Sequence, residues 1–113
     1  MWVIGGRDGG DNVVTEVDVY DSLRNEWVTL DYGLEIVTLP DNGGGGEEYR
    51  VSHQAAFAVD NGAVLVLAGG YTPSYDAVSH VISIDVGASL RSNALAYRVL
   101  PSLVHARGGA MKD

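Results

Sequence analysis

Two loops of this chain carry side chains that suit recognition of another molecule. Each loop follows a Gly-Gly pair: Arg7 follows Gly5-Gly6, and Tyr71 follows Gly69-Gly70. An Arg guanidinium can bind a carboxylate through two parallel hydrogen bonds. Tyr supplies the flat amphipathic area that is frequent at the centre of protein interfaces. The alternatives are that Arg7 pairs with an acidic side chain of its own loop and that the tyrosine packs within its loop.

The other reactive side chains form no catalytic or metal-binding pattern. His53, His80 and His105 are too far apart in the chain for a zinc site on one helix or hairpin. The loop aspartates lack the pattern of a calcium loop that ends in Glu. The chain has no cysteine and no Gly-x-Ser-x-Gly motif. We therefore predict no metal, no cofactor and no catalytic residue.

A glycine run, Gly43–Gly46, invites comparison with phosphate-binding loops. The run lacks the Gly-Lys-Ser/Thr ending of such loops, and Glu47 and Glu48, which follow it, would repel phosphate. Residues 41–48 are predicted instead to be a flexible, low-complexity tip of a long connection.

An internal repeat organises the two loops. The apolar run Met1–Ile4 precedes the first diglycine, and the run Val64–Ala68 precedes the second, at an offset of 64 residues. The correspondence continues at the same offset, since Val14 matches Val78 and Asp21 matches Asp85. A fixed period indicates repeated supersecondary units that stack on one another.

Each unit is predicted to consist of strands joined by turns. After the diglycine of the first unit, a strand over 13–20, a turn over 21–25 and a strand over 26–30 follow, because Asp, Ser and Asn favour turns. The second unit opens with a strand over 50–59. Asp60-Asn61-Gly62 predicts a hairpin turn, since Asn-Gly supplies the positive φ that tight hairpins need. Residues 34–39 are apolar enough for an extra edge strand or an extension of the strand before them.

The diglycine, Tyr20 on the next strand and Trp27 seven residues later together resemble the kelch motif. The second unit is looser, because Ile84 stands where Tyr20 stands in the first. Tyr97 is the candidate for the tryptophan position, after six extra residues in the connection.

The kelch resemblance implies an all-β fold of about two four-stranded antiparallel blades that form a partial, open β-propeller. The first blade would span 1–49, with three strands and a long loop. The second, complete blade would span 50–100, and 101–113 would begin a third. In such a propeller Tyr20 and Trp27 would fill the core between blades.

The same resemblance implies where a partner would bind. In kelch domains the loops after the diglycines and the loops between blades usually form the binding face. Arg50 and Arg107 open strands, where structural hydrogen bonding is the alternative role. The predicted contact residues are the charged and aromatic side chains at these places: Arg7, Asp8, Asp11, Arg50, Tyr71, Tyr75 and Arg107.

Charge and composition narrow the class of partner. The chain has 15 acidic and 7 basic residues, a net charge of −8. This excess of negative charge opposes binding to nucleic-acid phosphates and to anionic membranes. The sequence has no apolar run long enough to predict a transmembrane helix. The absence of cysteine, of a glycosylation sequon and of a signal-peptide pattern favours the cytoplasm without fixing a compartment.

These features predict a non-catalytic module that binds a protein partner through its loops. The alternative is a fragment of a carbohydrate-active or copper-radical-oxidase propeller of the same type. Because two blades cannot close a ring and would expose apolar faces at both ends, we expect the chain to be part of a longer protein. Neighbouring blades would then cover these faces. The other way to cover them is association of copies.

Overall fold

The described part of the chain folds mainly into antiparallel β-sheets. The structure, a computed structural model, describes residues 1–40, 46–48, 52, 54–72 and 74–105. A three-stranded sheet contains, in spatial order, β1 (Trp2–Ile4), β2 (Val17–Asp21) and β3 (Glu26–Thr29). A separate hairpin pairs β4 (Thr38–Pro40) with β5 (Gly46–Glu48).

A four-stranded sheet follows, in which neighbours in sequence are antiparallel neighbours in space. Its strands are β6 (Ala55–Val59), β7 (Val64–Ala68), β8 (Val81–Asp85) and β9 (Tyr97–Leu100). Two 3₁₀ turns, Leu34–Ile36 and Asp60–Gly62, and one helix, α1 (Val86–Ser92), complete the described elements. The all-β prediction is confirmed, and no described helix has the length and apolarity needed to cross a membrane.

The repeat is present in the backbone as well as in the sequence. Gly5 and Gly6 have φ of +75° and +89°, and Gly69 and Gly70 have φ of +69° and +112°. Only glycine adopts such angles at little cost. The Val14 N–H donates to the Gly6 carbonyl at 2.9 Å, and the Val78 N–H donates to the Gly70 carbonyl at 3.0 Å.

The strand register aligns the two units in spite of the inserted residues. Ile4 pairs with Val17 as Ala68 pairs with Val81. Tyr20 lies opposite Trp27, and Ile84 lies opposite Tyr97. Tyr97 thus occupies the position predicted for it, the equivalent of Trp27.

Helix α1 contains the extra residues of the second unit, where the sequence predicted only a longer connection. The Asp85 carboxylate caps the helix by accepting from the Ala88 N–H at 2.9 Å. Asn93 ends it with φ of +56°. Seven residues that include Gly87 give little helical pattern, so the capping residues were the only available signal.

The connection after β3 differs from its prediction. Residues 34–39 were expected to form an extra edge strand or to extend the strand before them, but Leu34–Ile36 is a 3₁₀ turn and Thr38–Pro40 is a strand in a separate hairpin. The turn lies against the segment just before β2, because the Leu34 N–H donates to the Thr15 carbonyl at 2.7 Å. Gly33 permits this approach, since a Cβ there would lie 2.4 Å from the Thr15 oxygen.

Other predicted boundaries shift. The flexible tip predicted over 41–48 is wrong for Gly46–Glu48, which form β5 through pairing with β4; residues 41–45 lie outside the described residues. Of the strand predicted over 50–59, the structure shows a strand over Ala55–Val59; residues 50, 51 and 53 lie outside the described residues. The hairpin turn at Asp60–Gly62 is confirmed, with φ of +57° at Asn61.

The hydrophobic core lies between the two larger sheets. β2 and the connection after β3 contribute Val17, Leu30, Leu34 and Val37, and the four-stranded sheet contributes Leu67, Ile82 and Ile84, with Leu95 from the loop before β9. These side chains are between 0% and 4% exposed.

The prediction that Trp27 fills a core is wrong for the described structure. Its side chain is 52% exposed, although its ring packs against Tyr20 at a centroid distance of 5.3 Å. Both rings lie on the face of the first sheet that points away from the core.

Candidate functional site

The described residues of the two loops that follow the diglycines make matching backbone hydrogen bonds. In the first loop, residues 7–12, the Asp8 N–H donates to the Asn12 carbonyl at 3.0 Å; in the second, residues 71–77, the Thr72 N–H donates to the Asp76 carbonyl at 2.9 Å. A second pair of hydrogen bonds, from Asp11 to Asp8 and from Tyr75 to Thr72, is equivalent. The repeat therefore presents two matched loops.

One residue in each loop has a left-handed backbone. Asp11 has φ of +64° and Tyr75, at the equivalent position, has φ of +67°. Aspartate tolerates this region, whereas a bulky aromatic residue adopts it rarely. Tyr75 is therefore held in a strained conformation by the loop around it, which is a common property of functional positions.

Asp8 and Thr72 stabilise their loops in the same way with different chemistry. The Asp8 carboxylate accepts from the Gly10 N–H at 2.8 Å and from the Asn12 N–H at 3.0 Å. The Thr72 hydroxyl accepts from the Asp76 N–H at 3.1 Å. The backbone hydrogen bonds from Asn12 and Gly10 lower the pKa of Asp8 below its ordinary value.

Arg7 joins the two loops. Its Nε donates to the Ser52 hydroxyl at 3.1 Å, one Nη donates to the Asp11 carbonyl at 2.9 Å, and the other Nη donates to the Thr72 carbonyl at 2.9 Å. Its side chain is only 9% exposed. The guanidinium thus connects the first loop to the second loop and to the segment that precedes β6.

An aromatic side chain covers this guanidinium. The Tyr75 ring lies 3.9 Å from the Arg7 Cζ, in a cation–π arrangement. The Tyr75 hydroxyl donates to the Asp11 carboxylate at 2.7 Å, and this hydrogen bond raises the pKa of Tyr75. Tyr71 packs against Tyr75 at a centroid distance of 6.4 Å.

The predicted loop residues come together at one place. Asp8, Asp11, Tyr71 and Tyr75, held by Arg7, form what we term the paired-loop surface. Its Tyr75 side chain is 52% exposed and its Asp11 side chain 65% exposed. The predicted alternative for Arg7, pairing with Asp11, is also present at 3.6 Å.

Two residues of the site were not predicted from the sequence, and two predicted residues lie outside the described residues. Ser52 and Thr72 were not singled out, because a hydroxyl and a backbone carbonyl that bind a distant arginine leave no local sequence pattern. Arg50 and Arg107 lie outside the described residues. Ser52 is fully buried and its backbone pairs with Tyr71, which places the start of the second unit beside the second loop.

Within the described ranges, no three His, Asp or Glu side chains converge as they would around a metal ion. An apolar cavity of about 550 Å³ lies elsewhere, between β1 and the β6–β7 hairpin, and is lined by side chains such as Trp2, Phe57 and Leu65.

Comparison with known proteins leaves the kelch resemblance as an expectation from the motif. No protein-family model matches the chain. No curated protein matches it at a significant level.

Proposed function

We propose that the chain is a non-catalytic, kelch-type interaction module whose paired-loop surface binds a protein partner. One observation carries the proposal: two loops of matched backbone present a half-exposed Tyr75 beside exposed carboxylates, over a buried arginine that joins them. Tyrosines of this kind are frequent among the residues that dominate binding energy.

The loops are ordered before any partner arrives. Hydrogen bonds within each loop, and one from Arg7 of the first loop to the Thr72 carbonyl of the second, already order this surface. A partner therefore pays little conformational entropy to order this surface, and more of the contact energy appears as affinity.

The charges of the surface indicate the chemistry of the partner. Asp8 and Asp11 contribute exposed carboxylates, and the whole chain has a net charge of −8. Arg7 offsets part of the Asp11 charge, because its guanidinium lies 3.6 Å from that carboxylate, but the Asp8 carboxylate and the net charge of the chain remain negative. A segment that presents Lys or Arg next to an apolar side chain is complementary to this surface in charge and shape.

The repeat supports the kelch part of the proposal. Both diglycines have positive φ, both are followed by the same loop, and Trp27 and Tyr97 hold equivalent positions in the register. These are the features on which the motif resemblance rests.

A displayed library of random peptides tests the proposal. Peptides selected on the wild-type chain should be enriched in Lys and Arg, and raising the salt concentration should weaken their binding. Tyr75→Asn keeps a residue that tolerates positive φ and should lower affinity about tenfold or more.

The matched control is Leu23→Ser, because Leu23 is 97% exposed in the β2–β3 turn and lies outside both loops. It should bind the selected peptides as the wild type does. Thermal unfolding of each variant shows that it is folded. Selection of no peptide, or equal binding by Tyr75→Asn and wild type, would contradict the proposal.

A further inference from the structure

The first sheet has an outer face that nothing in the described structure covers. Cross-strand neighbours in an antiparallel sheet share a face, and successive residues alternate between faces. Val17 lies in the core, so its neighbours in β2, Asp18 and Tyr20, point away from it. Val3 pairs with Asp18, and Trp27 pairs with Tyr20, which places all four residues on the outer face.

The repeat shows what such a face normally contacts. By register, Val3 corresponds to Leu67, Asp18 to Ile82, Tyr20 to Ile84 and Trp27 to Tyr97. In the second unit this face points into the core, and Leu67, Ile82 and Ile84 are 0% exposed. In the first unit Val3 is 47% exposed and Trp27 is 52% exposed. The outer face of the first sheet is thus equivalent to the face of the second sheet that packs against a neighbouring unit.

Tyr97, the equivalent of Trp27 in the second sheet, makes contacts that Trp27 does not make in the described structure. The Tyr97 hydroxyl accepts from the Thr38 N–H at 3.1 Å and donates to the Ile36 carbonyl at 3.4 Å. The aromatic residue at the end of the second sheet thus docks on the connection that follows the first sheet.

The chain offers an equivalent connection after its second sheet. The Leu103 N–H donates to the Ser79 carbonyl at 2.8 Å, as the Leu34 N–H does to the Thr15 carbonyl at 2.7 Å. The next residue, Val104, is 92% exposed. The first sheet therefore exposes Trp27. At the other end of the structure, the second sheet is followed by a connection equivalent to the one that Tyr97 contacts.

We propose that a second copy of this chain packs head-to-tail on the outer face of the first sheet, so that Trp27 of one copy contacts the segment after β9 of the next, which includes the exposed Val104. Charge supports this pairing. Asp18 lies on the outer face of the first sheet, and Arg98, exposed and paired with Ser83, lies on the outer face of the second. The contact uses different surfaces on the two copies, so it continues to a ring or to an open chain of copies.

Sedimentation velocity over a range of protein concentrations tests the proposal. The wild-type chain should form assemblies that grow with concentration. Trp27→Glu and Val104→Glu each place a charge in the contact, and each should weaken association about tenfold or more. Trp27→Thr, which suits a strand, serves in place of Trp27→Glu if that variant does not fold.

Mixing the two variants gives a sharper result. Each variant alone has one blocked and one intact surface, so it stays monomeric. An equal mixture should form dimers and nothing larger, because the intact surface of one variant meets the intact surface of the other. Leu23→Glu adds the same charge at a site that is 97% exposed in the β2–β3 turn, and it should assemble like the wild type.

Fluorescence provides a second readout. In a Trp2→Phe background Trp27 is the only tryptophan, and its emission should move to shorter wavelength as copies associate. A wild-type chain that stays monomeric at all concentrations overturns the proposal. So does association that both variants leave unchanged, or a mixture that forms no dimer. Tyr75→Asn should leave assembly intact, which separates this result from the fate of the proposed function.

Discussion

Leu67 and Val3 hold the same position in the two units, yet Leu67 is 0% exposed and Val3 is 47% exposed. Trp27 and Tyr97 show the same contrast, because only Tyr97 is docked on a neighbouring connection. The strands, the register and the diglycine turns are alike in both units. Burial at a repeat position is therefore decided by what packs beside the unit, while backbone structure is decided by the unit itself.

The side chains of the two units follow this division. Asp18 and Tyr20 in the first sheet correspond to Ile82 and Ile84 in the second. The exposed unit carries polar or amphipathic groups where the buried unit carries aliphatic ones. The two loops differ less than the two sheet faces, because both loops belong to the same surface and their backbone hydrogen bonds match.

The largest effect on stability should come from truncation to alanine at Leu67, compared with truncation at the equivalent residue Val3. Leu67→Ala removes a fully buried side chain and should lower the free energy of unfolding by about 2–5 kcal/mol. Val3→Ala at the equivalent exposed position should cost under about 1 kcal/mol. Urea unfolding of both variants, below the concentration at which copies associate, measures the difference. Equal losses would show that the two faces are buried alike.

Replacing Arg7, which hydrogen-bonds to both loops, should have the next largest effect on stability. Arg7→Met leaves the Ser52 hydroxyl and two carbonyls without their charged donor, and it should cost about 2 kcal/mol. Arg24→Met is the matched control, because Arg24 is 72% exposed and its carboxylate neighbours lie 3.8 and 4.0 Å away; surface pairs contribute about 0–1 kcal/mol. Chemical unfolding of both variants compares them, and similar losses would refute a joining role for Arg7.

The diglycine turns should respond equally in the two units. Gly6→Ala and Gly70→Ala each place a Cβ at positive φ and should each cost about 1–2 kcal/mol. Space is not the cause at Gly6, because no atom lies within 4 Å of the added Cβ. Gly9→Ala has the same open space without positive φ, so it should be nearly neutral. A large loss at Gly9 or none at Gly6, by thermal unfolding, would contradict the conformational explanation.

The smallest effect should be a difference in pH dependence between the loops. The folded pKa of Asp8 is lowered by hydrogen bonds from the Asn12 and Gly10 amides. A lowered folded pKa gives stability that is present above the unfolded pKa and is lost as pH falls through the folded pKa. Asp8→Thr copies the second loop, and its deficit relative to wild type should shrink below about pH 4.

Thr72→Asp makes the opposite exchange and should add acid sensitivity to the second loop. Denaturant unfolding at several pH values measures both variants. A deficit of Asp8→Thr that is independent of pH would show that the carboxylate charge is not what stabilises the first loop.

The sequence predicted the features that depend on local chemistry. Glycine pairs at a fixed period, Asn-Gly at a hairpin and the spacing from Tyr20 to Trp27 each reflect backbone requirements within a few residues. From them came the repeat, the hairpin and the position of Tyr97 in the register. The kelch resemblance implied that these loops lie on one binding face, but the hydrogen bond between Tyr75 and Asp11 was not predicted.

Features that depend on tertiary neighbours were not predicted. Trp27 is exposed because no described element packs beside the first sheet. An aromatic residue in a strand does not by itself indicate whether such a neighbour is present. The 3₁₀ turn at Leu34–Ile36 depends on a hydrogen bond to Thr15, in the segment just before β2. Helix α1 was missed because its seven residues include a glycine and have no clear periodicity.

Helix α1 also shows where this architecture accepts added sequence. The insertion leaves and re-enters the sheet at adjacent points, since the Asp85 N–H donates to the Ala96 carbonyl at 2.8 Å. Strand pairing resumes at Ile84 and Tyr97 as in the unit that has a simple turn there. A foreign peptide inserted at the exposed residues 90–92 of α1 would therefore extend from the ends of β8 and β9, while the strands and the buried Leu95 keep their positions.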